Sequence, residues 1–238
     1  MKNNIAIIAA RGGSKGIKDK NIKNFCGKPL IAWSILQAHE STSLHSVWVT
    51  SDSDEILDIA AEYEAKTIKR PESLATDCAT SESAWEHALQ VVQREIEIDA
   101  CVALQATSPL REPNDISKAL QVFYDNSFDS LFSAALLEDF LIWRKIDGAL
   151  SSLNYNYKKR GMRQEREPEY VENGSLYIFT PEILKRNNRL GGRIGMYQMD
   201  FWKSFEIDSL NDWELCSTLF THYNLQKYFS SYVINETA

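Results

Sequence analysis

Apolar positions along the chain follow two rhythms. Ile5-Ala-Ile-Ile-Ala-Ala10 and Ala100-Cys-Val-Ala-Leu104 are unbroken apolar runs, and Val47-Trp-Val-Thr50 is a shorter one. Runs of this length without polar alternation predict strands buried on both faces, as in a parallel sheet. Between them, apolar residues recur at helical spacing from Leu30 to Ala38, from Glu55 to Tyr63, and from about Glu82 to Glu95, with Ala84, Ala88, Val91 and Val92 on one side. Ala65-Lys-Thr-Ile68 predicts a further strand between the second and third of these helices. Strand and helix alternate, which predicts an α/β fold built on a doubly wound, mostly parallel sheet. Ligands of such sheets bind beyond the carboxyl ends of the strands, so the loops after the first, third and fourth strands are expected to face one crevice.

The second half is less regular. Pro113 to Tyr124 reads as a helix, Ser130 to Ala135 as a strand, Phe140 to Arg144 as a short extended run, Glu172 to Phe179 as a turn entering a strand, and Asp212 to Tyr228 as an amphipathic helix. Residues 147–170 are polar and turn-rich, with tyrosines and basic residues interspersed. A structureless stretch of that length is uncommon without a role, so it is expected to form an arm or lid instead of a solvated loop. The expectation is one domain over residues 1–238, with residues 137–170 inserted as the arm.

Composition narrows the class. A chain of 238 residues can bury a substantial core. No apolar run approaches the roughly 20 residues of a membrane-spanning helix, and Met-Lys-Asn-Asn leads straight into a strand, so neither a membrane span nor a secretion signal is expected. Four cysteines, Cys26, Cys78, Cys101 and Cys216, lie far apart without a C-x-x-C pair, which suits a reduced, cytoplasmic setting and indicates neither a zinc site nor a disulfide framework. A net charge of −7 argues against nucleic-acid binding, so any anionic substrate must be drawn in by local charge.

That local charge follows the first strand. Ala10-Arg11-Gly12-Gly13-Ser14-Lys15-Gly16 is a basic, glycine-rich loop whose amides can converge on one anion while Arg11 and Lys15 supply charge and Ser14 a hydroxyl. Lys18 and Lys20 extend the cluster or belong to a solvated surface. The spacing fits neither a P-loop nor a dinucleotide fingerprint. Ser51-Asp52-Ser53-Asp54 reads as the cap of the following helix. Near the end, Glu206 and Asp208 stand two apart, so on an extended segment they share a face and can share a divalent cation; Asp208 or Ser209 can equally cap the last helix. His39, His45, His87 and His222 fall in or beside predicted helices, and none is placed as a base.

Several of these stretches together resemble one family. Ala10 to Gly16 with Lys20-Asn21, Gly27-Lys-Pro-Leu30, Ser51-Asp52, Arg70-Pro71, Gln105-Ala-Thr-Ser-Pro-Leu-Arg111, Asn173-Gly-Ser-Leu-Tyr177-Ile and Glu206-Ile-Asp208 resemble the CMP-sialic acid synthetases, or acylneuraminate cytidylyltransferases, in the family's order. The resemblance implies a Rossmann-like nucleotidyltransferase that moves CMP from CTP to a nine-carbon 2-keto acid sugar. It also implies a divalent metal, Mg2+ or Mn2+, and a homodimer. By position, Arg11, Gly12, Gly13, Ser14 and Lys15 would hold the triphosphate, with Asn21 near the nucleotide, while Arg70, Ala79 and Ser81 would read cytosine. Gln105, Thr107, Tyr177 and Arg163 or Arg166 would meet the sugar. Glu206 and Asp208 would hold the metal, and Arg11, Lys15 and Asp208 would carry catalysis. Two features depart from the family: Glu206 replaces a more usual Asp, and Leu190-Gly-Gly-Arg193 stands where the sialic acid enzymes carry an aromatic N-acyl pocket. A legionaminate-type, di-N-acylated sugar is therefore expected to be used better than N-acetylneuraminate. The alternatives are a pseudaminate or Kdo enzyme, or a non-catalytic nucleotide-binding module.

Overall fold

The structure, a computed structural model, describes residues 2–138 and 140–229 apart from the Arg163 side chain. In chain order its elements are β1 (Asn4–Ala9), the hairpin β2 (Asn24–Phe25) and β3 (Lys28–Pro29), α1 (Leu30–His39), β4 (Ser46–Ser51), α2 (Asp54–Glu62), β5 (Lys66–Lys69), α3 (Ser81–Val92) and β6 (Ala100–Leu104). There follow α4 (Asp115–Asp125), β7 (Ser130–Leu136), the hairpin β8 (Trp143–Ile146) and β9 (Ala149–Ser152), β10 (Tyr170–Phe179), α5 (Pro181–Leu184), β11 (Ile194–Met199) and α6 (Leu210–His222).

Seven strands form one sheet in the order β11-β7-β10-β6-β1-β4-β5. Only β10 runs against its neighbours, pairing antiparallel with both β6 and β7. Successive residues of β1 point to opposite faces: Ala6 and Ile8 enter the core beneath α1, α4 and α6, whereas Ile5 and Ile7 enter a second core with Trp85, Leu89 and Val92 of α3. Both faces are thus covered, which is why β1 and β6 read as continuous apolar runs. The doubly wound, mostly parallel sheet is as the sequence predicts. Its switch point lies at β1, whose parallel neighbours β4 and β6 stand on opposite sides.

Several elements differ from their sequence-based outline. β11 was not foreseen, because Ile194-Gly-Met-Tyr-Gln-Met is a mixed run on a sheet edge with an exposed start. The last helix stops at His222, and a 3-10 turn over Leu225–Phe229 completes the amphipathic stretch. The polar arm contains the hairpin β8–β9, closed by Asp147 and Gly148 at φ of 49° and 83°. Two consecutive positive φ values suit Asp-Gly, the commonest short hairpin signal. Among the described residues, no helix is long and apolar enough to cross a membrane.

Beneath the crevice, Arg111 is fully buried. Its guanidinium donates to Gln37 Oε1 at 2.9 Å, the Ser175 carbonyl at 2.7 Å, Ser175 Oγ at 3.1 Å, Ser34 Oγ at 2.5 Å and the Gln105 carbonyl at 3.2 Å. Burial lowers its pKa to about 10, still high enough to keep it charged at neutral pH. One side chain therefore ties α1, the loop after β6 and β10 together. Arg111→Met would orphan those acceptors and is expected to cost more than about 3 kcal/mol in urea unfolding. A loss under about 1 kcal/mol would show that the network is dispensable.

Candidate active site

A cavity of about 300 Å3 opens at the carboxyl ends of β1 and β6, lined by Arg11, Ser14, Lys15, Gly16, Lys20, Asn21, Ser81, Trp85, Gln105, Thr107 and Asp208. Loops after β1, β5 and β6 meet there, the arrangement expected at the switch point. The basic loop is braced from behind. Asn21, buried, donates from Nδ2 to the Arg11 carbonyl at 3.0 Å, and the Gly12 amide donates to Asp52 Oδ1 at 3.2 Å. Asp52 is not a helix cap: Ser53 is, accepting from the Ile56 amide. Asp52 instead serves the loop, and it also faces Arg70, whose Nη2 lies 3.5 Å from Oδ1 and 3.2 Å from the Ala10 carbonyl. Burial pulls the Arg70 pKa down, and among the described residues its Nε has no hydrogen-bond partner.

Arg11 and Lys15 converge on one anion within the chain. Arg11 Nη1 stands 2.9 Å from Asp77 Oδ1, and Lys15 Nζ stands 2.8 Å from Asp77 Oδ2. Hydrogen bonds from Lys15 and Arg11 hold the Asp77 carboxyl below its ordinary pKa. One carboxylate thus bridges both cations of the loop. Asp77 sits in a polar loop where nothing in the sequence pattern singles it out.

Against the basic loop lies the acidic pair: Asp208 lines the cavity, and Glu206 is joined to it through Thr107. Lys20 is buried, and its Nζ donates to the Ile207 carbonyl at 2.5 Å and to Asp208 Oδ1 at 2.9 Å. Lys20 is therefore part of the site and no solvated surface charge. The Asp208 carboxylate is otherwise exposed, while Ser209 caps α6 in a capping box with Asp212. Capping is thus not the role of Asp208. Glu206 is half-buried; burial first, and then the neighbouring Asp208, raise its pKa. Its Oε2 accepts from Thr107 Oγ1 at 3.4 Å. Two glycines permit this approach. A Cβ on Gly16 would collide with the Asp208 carbonyl, and one on Gly174, at φ 64°, would collide with the Glu206 carboxylate.

Among the remaining residues named by resemblance, Ser81, Gln105 and Thr107 line the cavity, while Ala79 lies two residues before Ser81, in the loop that leads into α3. Tyr177 is buried behind the lining, its hydroxyl donating to Glu172 Oε1 at 2.5 Å. Arg166 borders a separate depression with Leu136 and Pro168 at the base of the arm. The Arg163 side chain lies outside the described residues. Among the described residues no group of three or more His, Cys, Asp or Glu gathers for a metal ion, so a cation here would have only Glu206 and Asp208 as acidic protein ligands. Trp85, in the cavity wall, was not singled out by sequence because its helical spacing marks it as ordinary core.

A family model described as cytidylyltransferase matches residues 5–232. The chain is 35% identical over 212 residues to an N-acylneuraminate cytidylyltransferase A of Danio rerio, a match covering 87% of this chain and 48% of that protein. It is 33% identical over 234 residues to the post-translational flagellin modification protein B of Campylobacter coli, covering 95% of this chain and 98% of the other. The chain spans about half the length of the N-acylneuraminate relatives it first matches. In fold it is similar, with a TM-score of 0.70 at 16% identity, to a CMP:2-keto-3-deoxy-manno-octonic acid synthetase complexed with CTP, over 93% of this chain and 100% of that one.

Two substitutions test this geometry. Asp208→Asn keeps the shape but loses the charge, and since Ser209 does the capping, turnover with CTP should fall by about a hundredfold or more with the melting temperature held within about 2 °C. A stable, fully active variant would remove Asp208 from the site. Asp77→Asn releases Arg11 and Lys15, so CTP should bind about twofold to fivefold more tightly by calorimetry. Weaker binding would mean that Asp77 itself supports the nucleotide.

Proposed function

The chain belongs to the cytidylyltransferase family, and we propose that it transfers CMP from CTP to the anomeric hydroxyl of a nine-carbon 2-keto acid sugar, with release of pyrophosphate. The observation that carries this reading is one cavity lined both by a cation-rich loop, with Arg11, Lys15 and Lys20, and by Asp208, with Ser81, Gln105 and Thr107 in the same lining and Glu206 bonded to Thr107. A phosphate chain needs the cations, and a metal-dependent transfer needs the acids. The name of the Danio rerio relative points to an N-acylneuraminate as acceptor.

The reaction forms a bond between the sugar oxygen and the α-phosphorus, breaks the bond from that phosphorus to the oxygen of the departing pyrophosphate and releases the hydroxyl proton to water, so catalysis is mainly in-line positioning and neutralisation of charge. Arg11, Lys15 and the amides of residues 12–16 hold the triphosphate and take up charge on the departing pyrophosphate. Lys20 fixes the Asp208 carboxylate toward the cavity through its hydrogen bond at 2.9 Å. Glu206 and Asp208 would hold a divalent cation, since their hard carboxylate oxygens suit Mg2+ or Mn2+. When bound, such a cation polarises the α-phosphate and lowers the pKa of the attacking hydroxyl. Arg70 and Ser81, with the Ala79 backbone, are assigned to the cytosine end, and Gln105 and Thr107 to the sugar.

The arm is assigned to a second copy of the chain. Phe140, Ile142, Trp143, Ile146 and Leu150 are all exposed on it, an apolar surface that a monomer would leave in water. The sugar carboxylate is assigned to Arg163 or Arg166, whose guanidinium matches it in two-point fashion. Of the two glycines that depart from an aromatic wall, Gly192 is set by its backbone, at φ 62° with Asp129 where a Cβ would stand. Preference for a di-N-acylated sugar therefore rests on Gly191, where a Cβ would meet nothing closer than Ile183 at 3.5 Å.

Pyrophosphate release from CTP, measured with N-acetylneuraminate, di-N-acetyllegionaminate, pseudaminate and Kdo, tests the reading. Release is expected with the nine-carbon acids, highest with di-N-acetyllegionaminate, and to vanish on chelation of divalent cations. Release with Kdo alone, or with none of the four, would overturn it. Light scattering should give a dimer, and a monomer at micromolar concentration would refute the arm.

A further inference from the structure

Arg189 stands outside the cavity lining yet grips the α3 wall of the cavity at two points. Its Nε donates to Glu82 Oε1 at 2.7 Å, and both side chains are largely removed from solvent, 22% and 16% exposed. Its guanidinium carbon lies 4.8 Å from the centroid of the Trp85 ring and 4.7 Å from that of Tyr177. Glu82 adjoins Ser81, and Trp85 lies four residues beyond Ser81, so Ser81 and Trp85 share the face of α3 that lines the cavity. Tyr177 in turn donates to Glu172, four positions before Leu176 on the bulged strand where Gly174 receives Glu206.

We propose that Arg189 is a positioning residue for the sugar half of the cavity: its guanidinium, anchored on Glu82, fixes the angle of the Trp85 ring. This rests on the cytidylyl-transfer reading. Among the described residues the Trp85 indole N–H has no hydrogen-bond partner, so nothing but packing and stacking sets the ring's angle. Tyr177 and Phe179 pack tilted against this buried ring at 6.1 Å and 5.9 Å, so neither lies flat on its face. A guanidinium over the ring whose Nε is held by a carboxylate adds a contact of fixed place. Lysine, a flexible point charge without a plane, cannot do both. The sugar half is singled out because the cations on the triphosphate side, Arg11 and Lys15, are held by Asp77 and not by this cluster, whereas Trp85 shares the cavity lining with Gln105 and packs against Tyr177 behind it.

The test uses the full chain with CTP, divalent cation and whichever nine-carbon acid the wild type uses best. Arg189→Met keeps length and an apolar stem that packs on aromatic rings, so the fold should survive, with the melting temperature within about 3 °C. It is expected to raise KM for the sugar about tenfold while the Kd for CTP stays within about twofold. Arg189→Lys should not restore the sugar KM. Trp85→Phe should raise the sugar KM as well, and the double variant should be no worse than the poorer single one, because both changes disturb one ring. An unchanged sugar KM in Arg189→Met, full rescue by lysine, additive losses, or equal losses in CTP and sugar binding would each overturn the assignment. A wild type that releases pyrophosphate with no acidic sugar would overturn it together with the cytidylyl-transfer reading, whereas an active wild type matched by Arg189→Met would overturn it alone.

Discussion

A buried guanidinium holds the floor of the cavity together. Arg111 lies at the meeting point of α1, the loop after β6 and β10, and its hydrogen bonds go to neutral oxygens of Ser34, Gln37, Gln105 and Ser175. Burying that charge is costly unless the donors are met, and here each reaches an acceptor. The nearest compensation is electrostatic, from Asp115 and Glu206. Gln105, which lines the cavity, and Ser175, next to the glycine that admits Glu206, are thus fixed by the same group. If that joint loosened, the loop that carries Gln105 and the acidic pair would move independently.

Charge on the opposite wall is arranged by the same logic of neighbouring groups. Lys20 is buried beside Ile207 and aims at Asp208, so an acid that would otherwise roam is directed at the cavity. Asp77 neutralises Arg11 and Lys15 from a loop that also carries Ala79 and leads to Ser81. Binding of an anion there would exchange one anion for another, which limits the cost of desolvating the cations and couples the basic loop to the loop that carries Asp77. Glu206, its pKa raised by burial and then by Asp208, is an acid whose charged form a nearby positive charge would favour.

The parts of this arrangement that the sequence displays are those with a local cause. Unbroken apolar runs give β1 and β6, the basic glycine-rich loop announces an anion, and the pairing of Glu206 with Asp208 two residues apart is visible because an extended segment puts them on one face. Other parts have a tertiary cause. Lys20 looks like its exposed neighbour Lys18 until the segment before α6 covers it. Asp52 sits among good capping residues, and only the return of the β1 loop shows that Ser53 caps while Asp52 binds Gly12. Glu82 and Arg189 are 107 residues apart, and no local pattern joins them. The arm hairpin is an intermediate case, since Asp147-Gly148 is a legible turn signal inside a stretch otherwise too polar to suggest strands.

The central claim is that the sugar's anomeric oxygen attacks the α-phosphorus of CTP. It is tested most directly by 31P NMR of the reaction with a nine-carbon acid labelled with 18O at the anomeric hydroxyl. The account requires the label to remain bonded to phosphorus in the CMP-sugar, seen as an isotope shift of the phosphodiester resonance, with unlabelled pyrophosphate. Label in the pyrophosphate, or a CMP-sugar without label on the bridging oxygen, would contradict it.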